Sequence, residues 1–188
     1  MVINGKKIAE GLLAELKQRP APQKFLAAVL VGGDSASASF VTQKEKTARE
    51  LGIDFRIAEG LPDASERELV GAIRVFADDS ACGGIVLQLP LPAHLDRDQV
   101  IAAIPPEKDV DVLRGGSLVV PPAAGVVEEL LKVTGCELRT ATVAVVGLGF
   151  LVGQPIVRWL EGKTKELITL DIGDDLASLR NANVVILG

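Results

Sequence analysis

The strongest constraint on the fold is a pair of short apolar runs at residues 26–31 and 84–89, which are bounded by glycine or proline. Runs of this length that include β-branched residues are typical of buried parallel strands. Between them, residues 37–51 and 64–77 have helical spacing, and residues 53–57 alternate as a strand does. The order strand, helix, strand, helix, strand predicts an α/β fold, because helices cover the faces of a parallel sheet.

The second half of the chain repeats this order over a shorter length. The same patterns predict a helix at 123–133 and then, in alternation, strands at 142–147, 166–170 and 184–187 with helices at 153–160 and 176–179. We therefore expect two lobes, a three-layer α/β lobe over 1–120 and a Rossmann-like, doubly wound lobe over 121–188. The second lobe is expected to be truncated, since a nucleotide-binding sheet usually has more than three strands.

Composition excludes several classes of function. With 20 Lys and Arg against 25 Asp and Glu, the formal net charge is −5, which argues against binding of nucleic acid. No apolar run approaches the roughly 20 residues that cross a bilayer, and no secretory signal opens the chain, so a cytoplasmic protein is expected. One histidine and two distant cysteines, Cys82 and Cys136, suggest neither a metal site nor a disulfide framework.

A glycine-rich turn lies between the first strand and helix of the second lobe. Gly147, Gly149 and Gly153 form the pattern G-x-G-x-x-x-G, in which backbone amides at a helix N-terminus hold a pyrophosphate. The third glycine comes one residue later than in the common dinucleotide fingerprint. A tight turn without a ligand therefore stays open as the alternative.

Asp171 ends the next predicted strand, 22 residues beyond Gly149. A carboxylate at this position accepts hydrogen bonds from an adenosine ribose and repels a 2′-phosphate, so it favours NAD over NADP. The alternative is a solvated turn residue beside Asp174 and Asp175.

Three sequence words in the first lobe resemble one family. They run from Val31 to Lys44, from Gly84 through Gln88-Leu89-Pro90-Leu91-Pro92, and over Pro106-Glu107-Lys108-Asp109-Val110-Asp111. In this order and spacing they resemble the bifunctional methylenetetrahydrofolate dehydrogenase/methenyltetrahydrofolate cyclohydrolase family. Residues 3–9 and the turn ending at Pro155 support the resemblance, which covers essentially the whole chain.

The resemblance implies roles for individual residues. It makes Lys44 the general acid/base, Gln88 its partner and Asp111 the anchor for the amino edge of the pterin, and it adds Phe40, Ser37 and Pro90 to the folate site. The glycine turn and Asp171 predict an NADP or NAD cofactor at Gly147, Leu148, Gly149, Gly153 and Asp171. The resemblance implies tetrahydrofolate derivatives as substrates, and we expect no metal and a homodimer. A lysine desolvated beside an amide suits proton transfer near neutral pH.

The chain departs from the family at three places between the start of the first lobe and the helix that follows it. Phe40 replaces a tyrosine four residues before Lys44, on the same helical face, so a hydroxyl that would hydrogen-bond the lysine is absent. This change puts the cyclohydrolase step in doubt first. Val112 stands where the family has glycine, and Val120-Pro121-Pro122-Ala123 replaces its Pro-Cys-Thr-Pro.

The cofactor turn and the length also differ from the family. Leu148 and Gly149 replace the arginine and serine that the family uses on a 2′-phosphate, which again favours NAD, or no dinucleotide at all. Family members continue for about another third of their length beyond residue 188. A C-terminally short member would leave a sheet edge and apolar faces uncovered, which favours dimerisation. A non-catalytic folate or nucleotide binder, or a scaffold, is therefore the alternative to an enzyme.

Overall fold

The computed structural model describes residues 2–32, 35–116 and 119–188, and for Ser35 and Ala36 it describes the backbone alone. Gly33 and Asp34, which belong to the first family-like word, lie outside the described residues. The chain forms two compact units, one over Lys6–Leu118 and the other over Val119–Gly188 together with Met1–Gly5. None of the described helices combines the length and apolar character needed to cross a membrane.

The first unit is built on a three-stranded parallel sheet with the order β2-β1-β3. Its elements in chain order are α1 (Gly5–Leu16), β1 (Phe25–Val31), α2 (Ser35–Glu50), β2 (Phe55–Gly60), α3 (Glu66–Asp78), β3 (Cys82–Leu87) and α4 (Arg97–Ala102), followed by a 3₁₀ turn at Pro106–Lys108. The central strand, β1, is buried along almost its whole length.

Alternate residues of β1 pack on opposite helices. Ala28 and Leu30 belong to one apolar cluster with Val41 of α2. Phe25 points the other way, and its ring meets Phe76 of α3 edge-to-face at 6.0 Å. Because side chains alternate across a strand, α2 and α3 cover opposite faces of the sheet, which gives the three layers expected from the sequence.

The second unit has a parallel sheet with the order β5-β4-β6. Its elements are α5 (Pro122–Thr134), β4 (Thr142–Val146), α6 (Gly153–Leu160), β5 (Glu166–Leu170) and β6 (Val184–Leu187), with 3₁₀ turns at Leu138–Thr140 and Leu176–Asn181. Val143 and Val145 of β4 pack with Val127, Ile156 and Leu160 of α5 and α6. This arrangement is the Rossmann-like lobe that the sequence predicted.

Three glycines allow β4, β6 and α6 to meet closely. A Cβ at Gly153 would lie 1.9 Å from the carbonyl oxygen of Gly147, and a Cβ at Gly188 would lie 2.5 Å from the same atom. Gly147 itself has a φ of +87°, which side chains rarely adopt. Gly147 and Gly153 of this turn are therefore required for packing, whatever the turn binds.

Several element boundaries differ from the sequence-based prediction. The strand expected at 53–57 is β2, Phe55–Gly60, since Ile53 closes the end of α2 by donating its N–H to the carbonyl oxygen of Ala48. The strand expected at 84–89 is β3, Cys82–Leu87, so Gln88 comes directly after it. Helix α4 was not predicted, and it begins where Asp96 accepts the N–H groups of Asp98 and Gln99.

The glycine contacts predict a sharp contrast between two similar substitutions. Gly153→Ala forces a methyl group onto the Gly147 carbonyl and should lower the free energy of unfolding by more than about 3 kcal/mol. Gly149→Ala meets no atom within 4 Å and should change it by less than about 1 kcal/mol. Thermal unfolding of the two variants measures the difference, and equal effects would contradict the packing described here.

Candidate functional site

Lys44 and Gln88 meet at the end of the first sheet. Lys44 lies in the third turn of α2, and its Nζ donates a hydrogen bond of 2.8 Å to Oε1 of Gln88. Gln88 follows β3 directly, and its backbone N–H continues the ladder by bonding to the carbonyl oxygen of Val29. The structure thus brings together two residues that lie 44 positions apart in the sequence.

The orientation of the Gln88 amide is fixed by a second hydrogen bond. The side chain is 7% exposed, and its Nε2 donates to the carbonyl oxygen of Leu89 at 2.8 Å. Because a carbonyl oxygen only accepts, the amide nitrogen must point to Leu89 and the amide oxygen to Lys44. Gln88 therefore holds the Lys44 amine in one direction through a group that carries no charge.

Asp111 is the charged neighbour of this pair. Burial raises the pKa of its carboxyl above the ordinary value, the charge of Lys44 opposes that shift, and the charge of Asp109 adds to it. A half-buried carboxylate within the electrostatic reach of a lysine is suited to bind the donor edge of a ring. Lys44, Gln88 and Asp111 thus form one electrostatic cluster.

Three further residues were expected at this site. Phe40, one helical turn before Lys44, is 63% exposed, so its ring is available for stacking. Pro90 is exposed and follows a cis peptide bond from Leu89, two residues after Gln88. Ser37 is only 3% exposed, near the start of α2. The binding roles of these three residues stay predictions.

The glycine turn of the second unit brings Asp171 next to Leu148. Asp171 follows β5, and its Oδ1 accepts the N–H of Ile172 at 2.9 Å and, in a longer contact of 3.5 Å, the N–H of Leu148. Its own N–H donates to Asp174. Asp171 is exposed beside the turn, as a ribose-binding carboxylate would be, whereas Leu148 packs against the core of the unit.

The turn has the properties that a dinucleotide phosphate requires. Gly149 is exposed with no atom within 4 Å of a Cβ position, and α6 begins at Gly153 without a side-chain cap. Open backbone at the start of a helix suits an anion. These residues therefore fit a dinucleotide, because Gly147 and Gly153 shape the turn, Gly149 leaves it open and the exposed carboxylate of Asp171 lies beside it.

Metal ligands do not cluster in the part of the chain that the structure describes. No three His, Cys, Asp or Glu side chains come together there as a metal site. The single histidine, His94, contacts the carbonyl oxygen of Ala64 through Nε2 at 3.0 Å, and Cys82 is buried with its Sγ toward the carbonyl oxygen of Gly84.

The residues that hold the loop bearing Asp111 were not predicted from the sequence. Asp109 is 1% exposed and accepts backbone N–H groups from Leu113 and Arg114. Lys108 donates to three carbonyl oxygens at the end of α3, those of Phe76, Ala77 and Asp79. The available signal was an aspartate ahead of a turn-rich segment, because Asp side chains often accept N–H groups a few residues later.

The raised pKa of Asp111 predicts how the pH changes stability. A carboxyl whose pKa is higher in the folded state stabilises the fold below its unfolded pKa, and this contribution is lost as the pH rises through the folded pKa. Asp111→Asn should therefore increase the free energy of unfolding at about pH 7, with a smaller gain at about pH 4. Urea unfolding across this range measures the effect.

Asp96→Asn is the matched control. Hydrogen bonds from Gln99 lower the pKa of Asp96, so its contribution is present at neutral pH and is lost as the pH falls. Asp96→Asn should destabilise the protein at neutral pH, by an amount that shrinks on acidification. A loss of stability for Asp111→Asn at neutral pH would contradict the cost assigned to burying its charge.

Curated relatives match most of the chain. Bifunctional protein FolD of Desulfatibacillum aliphaticivorans is 35% identical over 180 residues, which cover 86% of this chain and 60% of that protein. Bifunctional protein FolD of Heliobacterium modesticaldum is 34% identical over 201 residues, which cover 98% of this chain and 70% of that protein. The chain spans about 60% of the length of several such relatives.

Solved structures agree with the fold. The bifunctional enzyme FolD, a methylenetetrahydrofolate dehydrogenase/cyclohydrolase, from Campylobacter jejuni matches with a TM-score of 0.89 and 27% identity over 98% of this chain and 72% of its own. FolD from Trypanosoma brucei, solved with NADP and an inhibitor, matches with a TM-score of 0.89 and 26% identity. The match covers 100% of this chain and 71% of that one. The family model for the tetrahydrofolate dehydrogenase/cyclohydrolase catalytic domain matches residues 3–111. The chain therefore belongs to the tetrahydrofolate dehydrogenase/cyclohydrolase family.

Proposed function

We propose that this protein oxidises 5,10-methylenetetrahydrofolate to 5,10-methenyltetrahydrofolate and hydrolyses that product to 10-formyltetrahydrofolate. The observation that carries the proposal is the hydrogen bond of 2.8 Å from Lys44 to a Gln88 amide whose orientation is fixed. Membership of the family supports the choice of substrate. In this proposal residues 1–120 bind and convert the folate, and residues 121–188 bind the dinucleotide.

Oxidation removes a hydride from the one-carbon bridge between two folate nitrogens. A bound dinucleotide supplies the hydride acceptor. The methenyl product carries a positive charge. Because the partner of Lys44 is an uncharged amide, it adds no further repulsion to that charge, as a second cation would. In this step Lys44 and Asp111 orient the ring, with the carboxylate of Asp111 accepting from the amino edge of the pterin.

Hydrolysis then adds water to the methenyl carbon. Lys44 in its neutral form takes a proton from the attacking water as the new C–O bond forms, and its ammonium then returns that proton to N5 as the carbon–nitrogen bond at N5 breaks. The remaining hydroxyl proton leaves to solvent as the formyl C=O forms. Gln88 accepts a hydrogen bond from Lys44 in both protonation states, because the amine keeps N–H donors in each. The amine therefore stays in place while its charge changes.

The assay compares two lysines of the same helix. Lys44→Ala should lower both activities by at least about 100-fold, because it removes the group that orients the ring in oxidation and transfers the proton in hydrolysis. Lys46→Ala changes an exposed residue two positions away and should leave both activities within about twofold of wild type. Formation of methenyltetrahydrofolate and its decay are followed by absorbance. Equal rates for Lys44→Ala and wild type would remove the proposed mechanism.

A non-catalytic folate or nucleotide binder, or a scaffold, is the second candidate. Phe40 favours it, because the ring can stack on a pterin but cannot hydrogen-bond Lys44. The decisive comparison is calorimetric binding of tetrahydrofolate and NAD alongside the turnover assay. Binding without turnover would establish this second function, whereas turnover would exclude it.

We further propose that the dinucleotide is NAD. Asp171 is exposed beside Leu148, and its charge opposes a 2′-phosphate. The relative from Trypanosoma brucei was solved with NADP, so the family accommodates a 2′-phosphate, and the support for NAD comes from Leu148, Gly149 and Asp171 of this chain. A cytoplasmic location and a homodimer, both expected from the sequence, belong to the same proposal.

The choice between NAD and NADP can be tested by restoring the arginine and serine that the family uses to bind the 2′-phosphate of NADP. Wild type should have a higher kcat/KM with NAD than with NADP. Leu148→Arg combined with Gly149→Ser should raise kcat/KM for NADP by at least about tenfold through charge-assisted hydrogen bonds to the phosphate. The NAD reaction of the same variant is the control for general damage. A wild-type preference for NADP would contradict this part of the proposal.

A further inference from the structure

Asp109 is the most deeply buried charged side chain among the described residues of the first unit, and it binds the loop that follows it. Its Oδ1 accepts the N–H of Leu113 at 3.1 Å, and its Oδ2 accepts the N–H of Arg114 at 2.9 Å. Both carboxylate oxygens are thus used on backbone donors. Asp111 lies within the loop that these two hydrogen bonds close.

The same loop contains a residue in an unfavourable conformation. Val112 is buried and has a φ of +58°, in the left-handed region that a β-branched residue rarely adopts. Such a conformation persists only where the surroundings enforce it. The N–H groups that Asp109 accepts, those of Leu113 and Arg114, immediately follow Val112, so these two hydrogen bonds help to hold that conformation.

The two ends of the loop are fixed to the rest of the unit. Asp109 forms a parallel β-bridge with Ile85 of β3, and a Cβ at Gly84 would lie 2.5 Å from Val110, so the segment lies directly on the strand. Beyond the loop, Nη1 of Arg114 donates to the carbonyl oxygens of Ala102 and Ile104 at the end of α4. The loop that carries Asp111 is therefore fixed at both ends, by the β-bridge of Asp109 and by the hydrogen bonds of Arg114. Between these ends, the hydrogen bonds to the Asp109 carboxylate set the direction of Asp111.

We propose that Asp109 is a positioning residue that sets the direction of Asp111 toward the folate ring. The inference rests on the proposed function, because it takes a folate as the molecule that Asp111 binds. Asp109 touches no substrate in this account. It acts through the loop geometry of residues 109–114, so it should affect binding of the folate and leave binding of the dinucleotide unchanged.

Asp109→Asn tests the proposal with little change in shape. The side-chain amide of Asn has one oxygen that can accept one of the two backbone N–H groups. Its NH₂ group is a donor and cannot bind the other N–H, so one hydrogen bond of the loop is lost. We expect KM for 5,10-methylenetetrahydrofolate to rise by about tenfold or more, with KM for the dinucleotide within about twofold of wild type. Asp96→Asn, which removes a carboxylate that also accepts two backbone N–H groups but lies outside the loop, is the control and should leave both constants unchanged.

A second substitution separates positioning from stability. Glycine adopts the left-handed conformation without strain, so Val112→Gly should restore the folate KM of Asp109→Asn by several-fold. If Asp109 served stability alone, removing the buried Val112 side chain would instead make the double variant worse than Asp109→Asn. Hydrogen exchange of the Leu113 and Arg114 amides should be faster in Asp109→Asn than in wild type.

The outcomes distinguish this inference from the proposed function. If wild type turns over and Asp109→Asn keeps its folate KM, or raises both KM values equally, the positioning role is wrong and the proposed function stands. If wild type binds tetrahydrofolate without turnover, the dissociation constant from calorimetry replaces KM, and a tenfold weakening in Asp109→Asn supports the positioning role although the proposed activity fails. If wild type binds no tetrahydrofolate, both are overturned.

Discussion

The side-chain amide of Gln88 has one orientation that satisfies both of its polar atoms, and the candidate site depends on it. The carbonyl oxygen of Leu89 takes the amide nitrogen, which leaves the amide oxygen to Lys44. A buried amide turned the other way would place two donors together and leave an acceptor unpaired, at a cost of roughly 1–3 kcal/mol. The direction of the Lys44 amine therefore follows from the backbone at the end of β3, and β3 in turn is fixed by its pairing with β1.

The loop next to this pair combines features that oppose stability. Asp111 is half-buried with a raised pKa, Asp109 is a second buried carboxyl, and Val112 is in a left-handed conformation. Sites that must bind a ligand often retain charges and backbone conformations that the fold alone would not favour. In this chain two sets of interactions offset these unfavourable features. Backbone N–H groups of the loop donate to the Asp109 carboxylate, and Lys108 and Arg114 donate to carbonyl oxygens at the ends of two helices.

Much of the fold was predictable because it follows from patterns of apolar residues. Helix α6 and strands β5 and β6 have the predicted bounds, and the order of strands and α-helices from β1 onward was predicted in both units except for the six-residue α4. Such a helix is too short for a period of 3.6 residues to be recognised. The bounds of β2 and β3 differ by about two residues, because pairing with β1 sets them and pairing is not visible in a single strand.

The candidate site likewise contains residues that the sequence predicted and residues that only the structure reveals. Lys44, Gln88 and Asp111 were selected from sequence words that resemble a family, and the structure places the first two in direct contact. Asp109 belongs to one of these segments but was given no role, since its importance comes from burial and from donors four and five residues later, which only the folded loop reveals. Gly188 was missed for a related reason, since its lack of a side chain matters only where β6 meets Gly147.

The most direct test of the account is a crystal structure of this protein with a bound tetrahydrofolate analogue. We predict that the amino edge of the pterin lies on the carboxylate of Asp111, with Nζ of Lys44 still bonded to Gln88 and directed at the one-carbon position. An analogue bound elsewhere, or bound with the Lys44–Gln88 hydrogen bond broken and Lys44 turned away from the ring, would contradict it.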